Sequence, residues 1–255
     1  MTFEIIGSGH AAWVLSQALL ANGHACSGVC ARNSPARDEL ASILQAPAKD
    51  LWPAVSNFPG VVLLAVADSA LPELAQKARQ SFPNAFLVHL SGATPLEVLP
   101  GPRRGVAWPM ASLIRGTQLN RSKTQTFWES ERSEDASLLL RIAQSFGKHV
   151  HAMSSPGRIA LHTSAALTNN FMTHLMEKAR ALCAVHQVPF SLLTPLLEQT
   201  LVAQIQHSAG NWQTGPAKRR DSATLQRHRE AIGHDAALLK AYDALTESIQ
   251  ATYPV

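Results

Sequence analysis

Cysteine is scarce in this chain, since 255 residues include only three. Cys26, Cys30 and Cys183 form no C-x-x-C pair, which argues against a disulfide framework and against a structural zinc site. We therefore expect no bound metal. Free thiols of this kind are typical of a reducing cytoplasm.

Long hydrophobic runs are also missing. The longest, around VVLLAVA at 61–67, is far too short to span a bilayer. The N-terminal segment MTFEIIGSGH has an acid at Glu4 and no basic region before its apolar stretch, so it does not have the pattern of a signal peptide. The expectation is a cytoplasmic protein without a membrane partner.

Charged residues make up only 16% of the chain and hydrophobic residues 46%, a balance that excludes a disordered chain. The net charge is +4, and the basic residues are dispersed except at 218–220 and the nearby Arg227 and Arg229. This distribution fits a solvated surface or a site for an anionic ligand. Because no nucleic-acid motif or basic stripe is present, we expect no nucleic-acid partner, and a basic nucleic-acid-binding protein stays a third interpretation.

Short apolar runs alternate with helical patterns as far as residue 151. Strands are predicted at 3–6, 25–30, 61–66, 86–90, 105–108, 125–128 and 149–151, with helices at 11–21, 35–44, 70–80 and 135–146. This alternation predicts the α/β class, with a doubly wound, Rossmann-type parallel sheet. After residue 153 only helical patterns occur, at 158–186, 189–206, 222–232 and 235–251, with a polar loop at 207–221. We therefore predict an α/β domain over 1–152 and an all-helical domain over 153–255.

A glycine motif follows the first predicted strand and reads Gly7-Ser8-Gly9-His10-Ala11-Ala12. In a G-x-G-x-x-A motif the first glycine permits a tight turn, and the second lets a pyrophosphate approach the backbone. A small residue at Ala12 keeps helix and strand close, and the helix N-terminus favours anions. The motif predicts a dinucleotide site formed by residues 7–11; the alternative is an ordinary glycine turn.

The segment after the second strand contains Arg32, Asn33 and Ser34. An NAD site usually has an acidic residue there, which binds the ribose 2′-hydroxyl. This chain has none, and a guanidinium with hydroxyl and amide donors suits a 2′-phosphate. We therefore predict NADP rather than NAD, with a surface loop as the alternative.

Two further loops follow predicted strands. Ala67 and Asp68 come after the strand at 61–66, and Ser91 and Gly92 come after the strand at 86–90. Loops at the carboxyl ends of parallel strands line the ligand crevice of such a sheet. We predict that these four residues contact the cofactor, although serine in such loops is often only a turn residue.

The first helix of the C-terminal half carries His162, Asn169 and Asn170. A spacing of seven puts His162 and Asn169 on one helical face. An imidazole can donate a proton to a carbonyl or imine, or accept one from an alcohol. His162 and Asn169 are the predicted catalytic residues, and Asn170 is predicted to bind substrate. The alternative is a core histidine with an amide contact between helices.

The segment 214–224 is the last candidate for a site. Its basic residue Arg219 could meet a substrate carboxylate or phosphate, and we predict that Arg219, Asp221 and Thr224 bind substrate. Asp221 can equally cap the helix that follows, which is the alternative interpretation.

These segments resemble a known group of proteins, and the matching stretches are IIGSGHAA, LLAVADSALPELA, VHLSGAT, WPMASL, RIALHTSAALTNNF and TGPAKRRDSATLQRH. The chain resembles Rossmann-like proteins with a C-terminal domain of unknown function. That group is similar to NADP-dependent oxidoreductases of the 6-phosphogluconate dehydrogenase superfamily, including pyrroline-5-carboxylate reductase. The resemblance implies a nicotinamide-binding domain, a helical domain that usually mediates dimerisation, and an active site in the cleft between them.

Three positions depart from the resembled pattern. Trp108 stands where a histidine is common, Leu161 where a tyrosine is usual, and Arg220 where a glycine is common. If those residues do chemistry in the relatives, this protein has lost that chemistry or moved it.

The sequence as a whole predicts an NADP-dependent oxidoreductase that moves a hydride to or from a small carbonyl, imine or alcohol. The alternative, which the three departures favour, is a catalytically silent NADP-binding redox sensor or regulatory protein. The helix at 158–186 is apolar over much of its circumference, and so we expect a second subunit to cover part of it. The predicted assembly is a homodimer formed through the helical domain.

Overall fold

The structure, a computed structural model, describes residues 1–49, 52, 55–206 and 212–254. Its strands are β1 (Thr2–Ile6), β2 (Ala25–Cys30), β3 (Ala48–Lys49), β4 (Val61–Leu64), β5 (Phe86–His89), β6 (Arg104–Met110), β7 (Gln125–Ser130) and β8 (His149–Ala152). Its helices are α1 (His10–Ala21), α2 (Ser34–Ile43), α3 (Leu71–Ser81), α4 (Ser133–Phe146), α5 (Ser155–Ala165), α6 (Met172–Val185), α7 (Thr194–Gln206), α8 (Pro216–Arg219), α9 (Ser222–Ile232) and α10 (Ala236–Thr252). Part of the predicted loop at 207–221 lies outside the described residues.

The eight strands form one sheet in the order β3-β2-β1-β4-β5-β6-β7-β8. The predicted α/β class and Rossmann-type architecture are confirmed, and the sheet is parallel except at one pair. Strands β6 and β7 run antiparallel, which corrects the expectation of a wholly parallel sheet. The reason is the connection: residues 111–124 contain no helix, and a parallel crossover usually needs one.

Side chains alternate between the two faces of the sheet, and each face has its own apolar cluster. Phe3 and Ile5 of β1 belong to one cluster, with residues of α1, α2 and α4. Ile6 belongs to the other, with residues of α3. Because neighbouring strand residues point to opposite faces, helices cover both sides of the sheet, as doubly wound folds require.

Several local elements differ from the sequence expectations. Strand β3 was not predicted, because two residues give no alternating pattern. A π-helical turn at Ala166–Phe171 interrupts the long helix expected at 158–186. Hydrogen bonds in such a turn span five residues instead of four, and nothing in the local sequence signals the change.

The chain divides into two compact units, Met1–Ala166 and Leu167–Val255. The predicted boundary at 152 falls earlier because it was placed where the last strand ends. Helix α5 follows that strand but belongs to the first unit, where the fully buried Arg158 is hydrogen-bonded to a loop after β5. Whether the functional domains divide at residue 152 stays a prediction.

The second unit is helical and has a small core. Among its described residues only Ala217, Leu225, Ile232 and Thr246 are buried. Large apolar side chains are exposed on it instead, and they include Leu167, Phe171, Val185, Leu192, Leu196, Leu201, Val202, Ile205 and Leu245. No helix in the described part of the chain has both the length and the apolar character needed to cross a membrane.

Candidate functional site

A cleft of about 580 Å³ opens at the carboxyl ends of β1, β2 and β4 in the first unit. It is lined by Gly7, Ser8, Gly9, Ala31, Arg32, Asn33, Ala65, Val66, Ala67, Ala70 and Leu74. The strand order reverses direction between β1 and β4, and ligands of open α/β sheets bind at such a point. The position of the cleft is therefore that of a ligand crevice.

Gly7 forms the turn at the bottom of this cleft. Its φ is +124°, a value that L side chains rarely adopt, and an added Cβ would lie 2.2 Å from the carbonyl oxygen of Ala65. Its amide donates a hydrogen bond of 2.8 Å to the carbonyl of Cys30. Only glycine fits here, because the turn runs directly against the ends of β2 and β4.

Gly9 has a different environment. It is the N-cap of α1, and an added Cβ would meet no atom within 4 Å. The first turn of α1 carries no acidic side chain. An open glycine beside the unpaired N–H groups of a helix N-terminus gives a phosphate room to approach the backbone. The residues present therefore fit a dinucleotide pyrophosphate.

The turn after β2 carries Arg32 and Asn33 on the cleft wall, both exposed. The Asn33 Oδ1 accepts a hydrogen bond of 3.1 Å from the Ala36 amide and so caps α2. No acidic side chain lines the described cleft. A guanidinium on a cleft wall that carries no carboxylate suits a phosphate group better than a bare ribose hydroxyl.

A second group of predicted residues lies together at the carboxyl ends of β5 and β6. The ring of His162 packs against that of Trp108, with centroids 5.5 Å apart. Gly92 fits between them, since an added Cβ would lie 2.5 Å from His162 Cδ2 and 2.6 Å from Trp108 Cε2. His162 is half-buried, so its ring is neither a core residue nor fully solvated.

The loop that contains Ser91 is held by hydrogen bonds within the loop. The Ser91 hydroxyl accepts hydrogen bonds from the amides of Ala93 (3.1 Å) and Thr94 (3.0 Å) and donates to the Thr94 hydroxyl (2.9 Å). These are turn contacts, as the alternative interpretation expected. A cofactor contact by Ser91 or Gly92 stays a prediction, because neither residue lines the cleft.

The two groups lie on the same edge of the sheet. Strands β1, β4, β5 and β6 are successive neighbours. Adjacent strands are about 4.8 Å apart, so the ends of β1 and β6 are separated by about 14 Å. An extended dinucleotide can span such a separation.

Other predicted cofactor residues lie at the margin of the cleft. His10 and Ala11 begin α1, and the His10 Nδ1 accepts a 2.8 Å hydrogen bond from the Arg115 amide. Ser34 is the first residue of α2, and the exposed Asp68 begins a 3-10 turn. Of the predicted pair Ala67 and Asp68, Ala67 lines the cleft and Asp68 does not.

The predicted residues of the second unit make mostly local contacts. Asn169 and Asn170 are exposed on the π-helical turn, and the argument from a seven-residue spacing assumed α-helical turns throughout. Asp221 caps α9: its Oδ1 accepts from the Thr224 amide (3.0 Å) and its Oδ2 from the Thr224 hydroxyl (2.8 Å). These bonds lower the pKa of Asp221. Arg219 is exposed at the end of α8.

Sequence reasoning missed two kinds of residue. Ala70, in the 3-10 turn after β4, and Leu74, on α3, also line the cleft. Because both lie beyond the strand end, the rule that loops directly after strands line the crevice did not point to them. Arg158 was also missed, because a lone arginine in a helical pattern usually lies on the surface. Within the described residues, no group of three or more metal-ligating side chains occurs.

Comparison with known proteins agrees with this architecture. Residues 1–112 match the Rossmann-like domain, and residues 125–249 match DUF2520, a domain of unknown function. No curated protein matches the chain.

Solved structures are similar over almost the whole chain. A candidate NADP oxidoreductase from Bacteroides fragilis is 29% identical, with 97% of each chain covered and a TM-score of 0.83. An imine reductase from Myxococcus stipitatus in complex with NADP+ is 13% identical, with 99% of this chain and 96% of that chain covered and a TM-score of 0.68. A reductive aminase from Aspergillus terreus in complex with NADPH and ethyl-5-oxohexanoate is 18% identical, with 97% of this chain and 92% of that chain covered and a TM-score of 0.67.

The last two identities are too low to show more than a shared fold. Together with the two domain matches, the comparisons confirm the resemblance inferred from the sequence motifs. The chain carries a Rossmann-like domain followed by a DUF2520 domain, in the fold shared by NADP oxidoreductases and imine reductases.

Proposed function

We propose that this protein is an NADP-dependent oxidoreductase that moves a hydride to or from a small carbonyl, imine or alcohol. One observation carries the proposal: a cleft at the strand-order reversal whose turn requires Gly7 and whose helix N-terminus is open at Gly9. Similar structures that hold NADP+ or NADPH support it.

The cofactor preference rests on Arg32 and Asn33. Their side chains line the cleft beyond β2, where an acidic residue would favour NAD. Arg32 also lies within electrostatic range of Glu73 on α3. A hydrogen bond from Lys77 is the main cause that lowers the pKa of Glu73, and the charge of Arg32 adds to it. Lys77 already pairs with that carboxylate at 2.6 Å, which leaves Arg32 available for a phosphate.

When the cofactor is bound, its nicotinamide would donate the hydride to a carbonyl or imine, or accept it from an alcohol. The chain itself must then hold a proton near the oxygen or nitrogen of the substrate. His162 is the residue that we propose for this step, because an imidazole can donate or accept a proton and its ring is half-buried. Asn169 and Asn170, with Arg219, Asp221 and Thr224, stay proposed substrate contacts.

The alternative function is a catalytically silent NADP-binding sensor. It is favoured by Trp108 and Leu161, which stand where the resembled proteins commonly have histidine and tyrosine. Trp108 is buried and packs against Phe127 with ring centroids 5.4 Å apart, so it adds no proton-transfer group.

We further propose that the protein is a cytoplasmic homodimer assembled through its helical domain. Exposed apolar side chains on that domain, such as Phe171 and Ile205, support a protein partner. The free cysteines Cys26, Cys30 and Cys183 are compatible with a reducing compartment.

Two measurements test the proposed function in sequence. Calorimetric titration with NADPH and NADH should show binding, with NADPH tighter. A panel of carbonyl compounds, imines and alcohols, followed by absorbance of the reduced nicotinamide, should then reveal turnover. NADPH binding without turnover on any class would favour the sensor, and no binding of either cofactor would refute both functions.

A further inference from the structure

We propose that Arg158 is a positioning residue for hydride transfer, because it fixes the loop at 91–94 and the ring of His162 in one rigid arrangement. This inference rests on the proposed function, since only there does His162 act on a substrate. Arg158 itself touches neither the cleft nor the exposed surface.

The guanidinium of Arg158 binds the loop through its backbone. Its Nη1 lies 3.2 Å from the carbonyl oxygen of Ser91, 3.2 Å from that of Gly92 and 2.7 Å from that of Thr94. Three carbonyls of one four-residue loop thus point toward a single buried cation. The loop cannot turn over or withdraw without breaking these contacts.

The other side of the guanidinium is anchored to the sheet. Nη2 donates to the Glu129 Oε2 at 3.0 Å and to the Ser155 hydroxyl at 2.9 Å. Glu129, on β7, also accepts hydrogen bonds from the Ser155 amide (2.9 Å) and hydroxyl (2.6 Å). Since Ser155 begins α5, the same cluster holds the start of the helix that carries His162.

A buried histidine strengthens this arrangement. Burial, followed by the nearby charge of Arg158, lowers the pKa of His89 to about 3. The neutral ring can therefore accept the 3.2 Å hydrogen bond that the Ser91 amide donates to its Nδ1. Arg158 thus holds the loop by its carbonyls and also favours the form of His89 that accepts an amide from the loop.

These contacts determine where the His162 ring lies. His162 follows Arg158 by four residues on α5, so both side chains are on the same face. The ring contacts the loop at Gly92, where an added Cβ would be only 2.5 Å away. A shift of the loop by a fraction of an ångström, or a small rotation of α5, would therefore move the imidazole relative to a substrate.

The number of loop contacts argues against a purely structural ion pair. An ion pair made only for stability would need no partner beyond the Glu129 carboxylate. Replacing a buried ion pair by apolar residues is often neutral for stability. Here most of the bonds go instead to the loop beside the proposed proton donor. The Arg158 Nε has no partner among the described residues, so the side chain is not optimised for its own hydrogen bonding.

The test replaces Arg158 by methionine, which keeps the volume and removes the donors. Arg79→Met is the matched control, because Arg79 also donates to several carbonyls, including those of Ala85 (2.8 Å) and Arg103 (2.9 Å), at the opposite edge of the sheet. Hydrogen exchange of the cofactor-free proteins is measured by mass spectrometry over the peptide at 90–96. Kinetics with NADPH and the identified substrate follow.

For Arg158→Met we expect faster exchange in the loop and a kcat lower by about tenfold or more, since small misplacements of catalytic groups are costly. The NADPH dissociation constant should stay within about twofold, because the cleft residues are untouched. Arg79→Met should lower the melting temperature but leave both the loop exchange and kcat unchanged. If Arg158→Met does not fold, Arg158→Lys keeps the charge and cannot reach all three carbonyls, so the same results are expected.

A folded Arg158 variant with unchanged loop exchange and full kcat would overturn the proposal. Equal losses of kcat in the Arg158 and Arg79 variants would also overturn it, because they would indicate general destabilisation. Failure of the proposed function looks different: wild-type protein would then not bind NADPH or would turn over no substrate, while the exchange experiment would still report on the loop.

Discussion

The imidazole of His162 and the indole of Trp108 lie 5.5 Å apart between ring centroids, with their planes inclined by 57°. The resembled proteins commonly have histidine at this strand position, and this chain has tryptophan there. With tryptophan there, His162 provides the imidazole, against an apolar wall. Whether His162 transfers a proton therefore distinguishes the enzyme interpretation from the sensor interpretation.

Replacing His162 by alanine should lower turnover by roughly 10²–10⁴-fold if the ring is the general acid or base. NADPH affinity should be nearly unchanged, because His162 does not line the cleft. His149→Ala, at an exposed histidine on the edge strand β8, is the control and should retain full activity. Full activity of the His162 variant would remove this residue from the mechanism.

Replacing Arg32 by alanine should abolish most of the preference for NADPH over NADH. The loss of a charge-assisted contact to a phosphate is worth about 1.5–3 kcal/mol, or roughly 10–150-fold in the affinity ratio. Arg37→Ala removes the same charge nearby, but Arg37 pairs with Asp38 at 2.8 Å and does not line the cleft, so the ratio should persist. Calorimetric titration with both cofactors measures it, and equal ratios in the two variants would contradict the assignment.

The second unit should be found in a dimer. Its exposed apolar residues, among them Leu192 and Leu196, would otherwise face water over several helices. Multi-angle light scattering at micromolar concentration should report twice the mass of one chain. A monomer under these conditions would contradict the predicted dimer.

Asp221→Ala should destabilise α9 at neutral pH and have little effect in acid. Hydrogen bonds from Thr224 lower the pKa of Asp221 in the folded state, so the carboxylate stabilises the fold above the ordinary aspartate pKa. That contribution is lost as the pH falls through the lowered folded-state value. Melting temperatures of the two proteins should therefore converge below about pH 4. Asp221→Asn keeps an N-cap oxygen and should retain part of the stability.

Arg220 adopts a left-handed backbone conformation, with φ of +54°, at the end of α8. For a residue with a Cβ this conformation is unfavourable by about 1–2 kcal/mol. Arg220→Gly should therefore be more stable than Arg220→Ala by about 1 kcal/mol, although both lose the 3.1 Å bond to the Gln250 carbonyl. Chemical denaturation of the two variants measures the difference, and equal midpoints would show that the turn adapts to alanine.

Much of the first unit could be predicted because its signals are local. The apolar run at β4 and the glycine motif at Gly7 indicate a buried strand and a tight turn after β1 without knowledge of the tertiary structure. The antiparallel β7 could not be predicted, because its direction depends on a connection that has no periodic pattern. Arg158 could not be recognised either, since its partners at Ser91 and Glu129 are distant in sequence. Contacts of this kind form only when the folded chain brings the loop at 91–94 against α5.

The contrast between Gly7 and Gly9 has a consequence for how this protein tolerates mutation. A side chain at position 7 would collide with the backbone of Ala65, so its first effect would be on folding. A side chain at position 9 would project into open space, so a bulky or acidic one should leave a properly folded protein that cannot accommodate a pyrophosphate. Substitutions at Gly7 should therefore impair folding, whereas substitutions at Gly9 should impair only ligand binding. A genetic screen that scores folding and function separately can distinguish the two classes of variant.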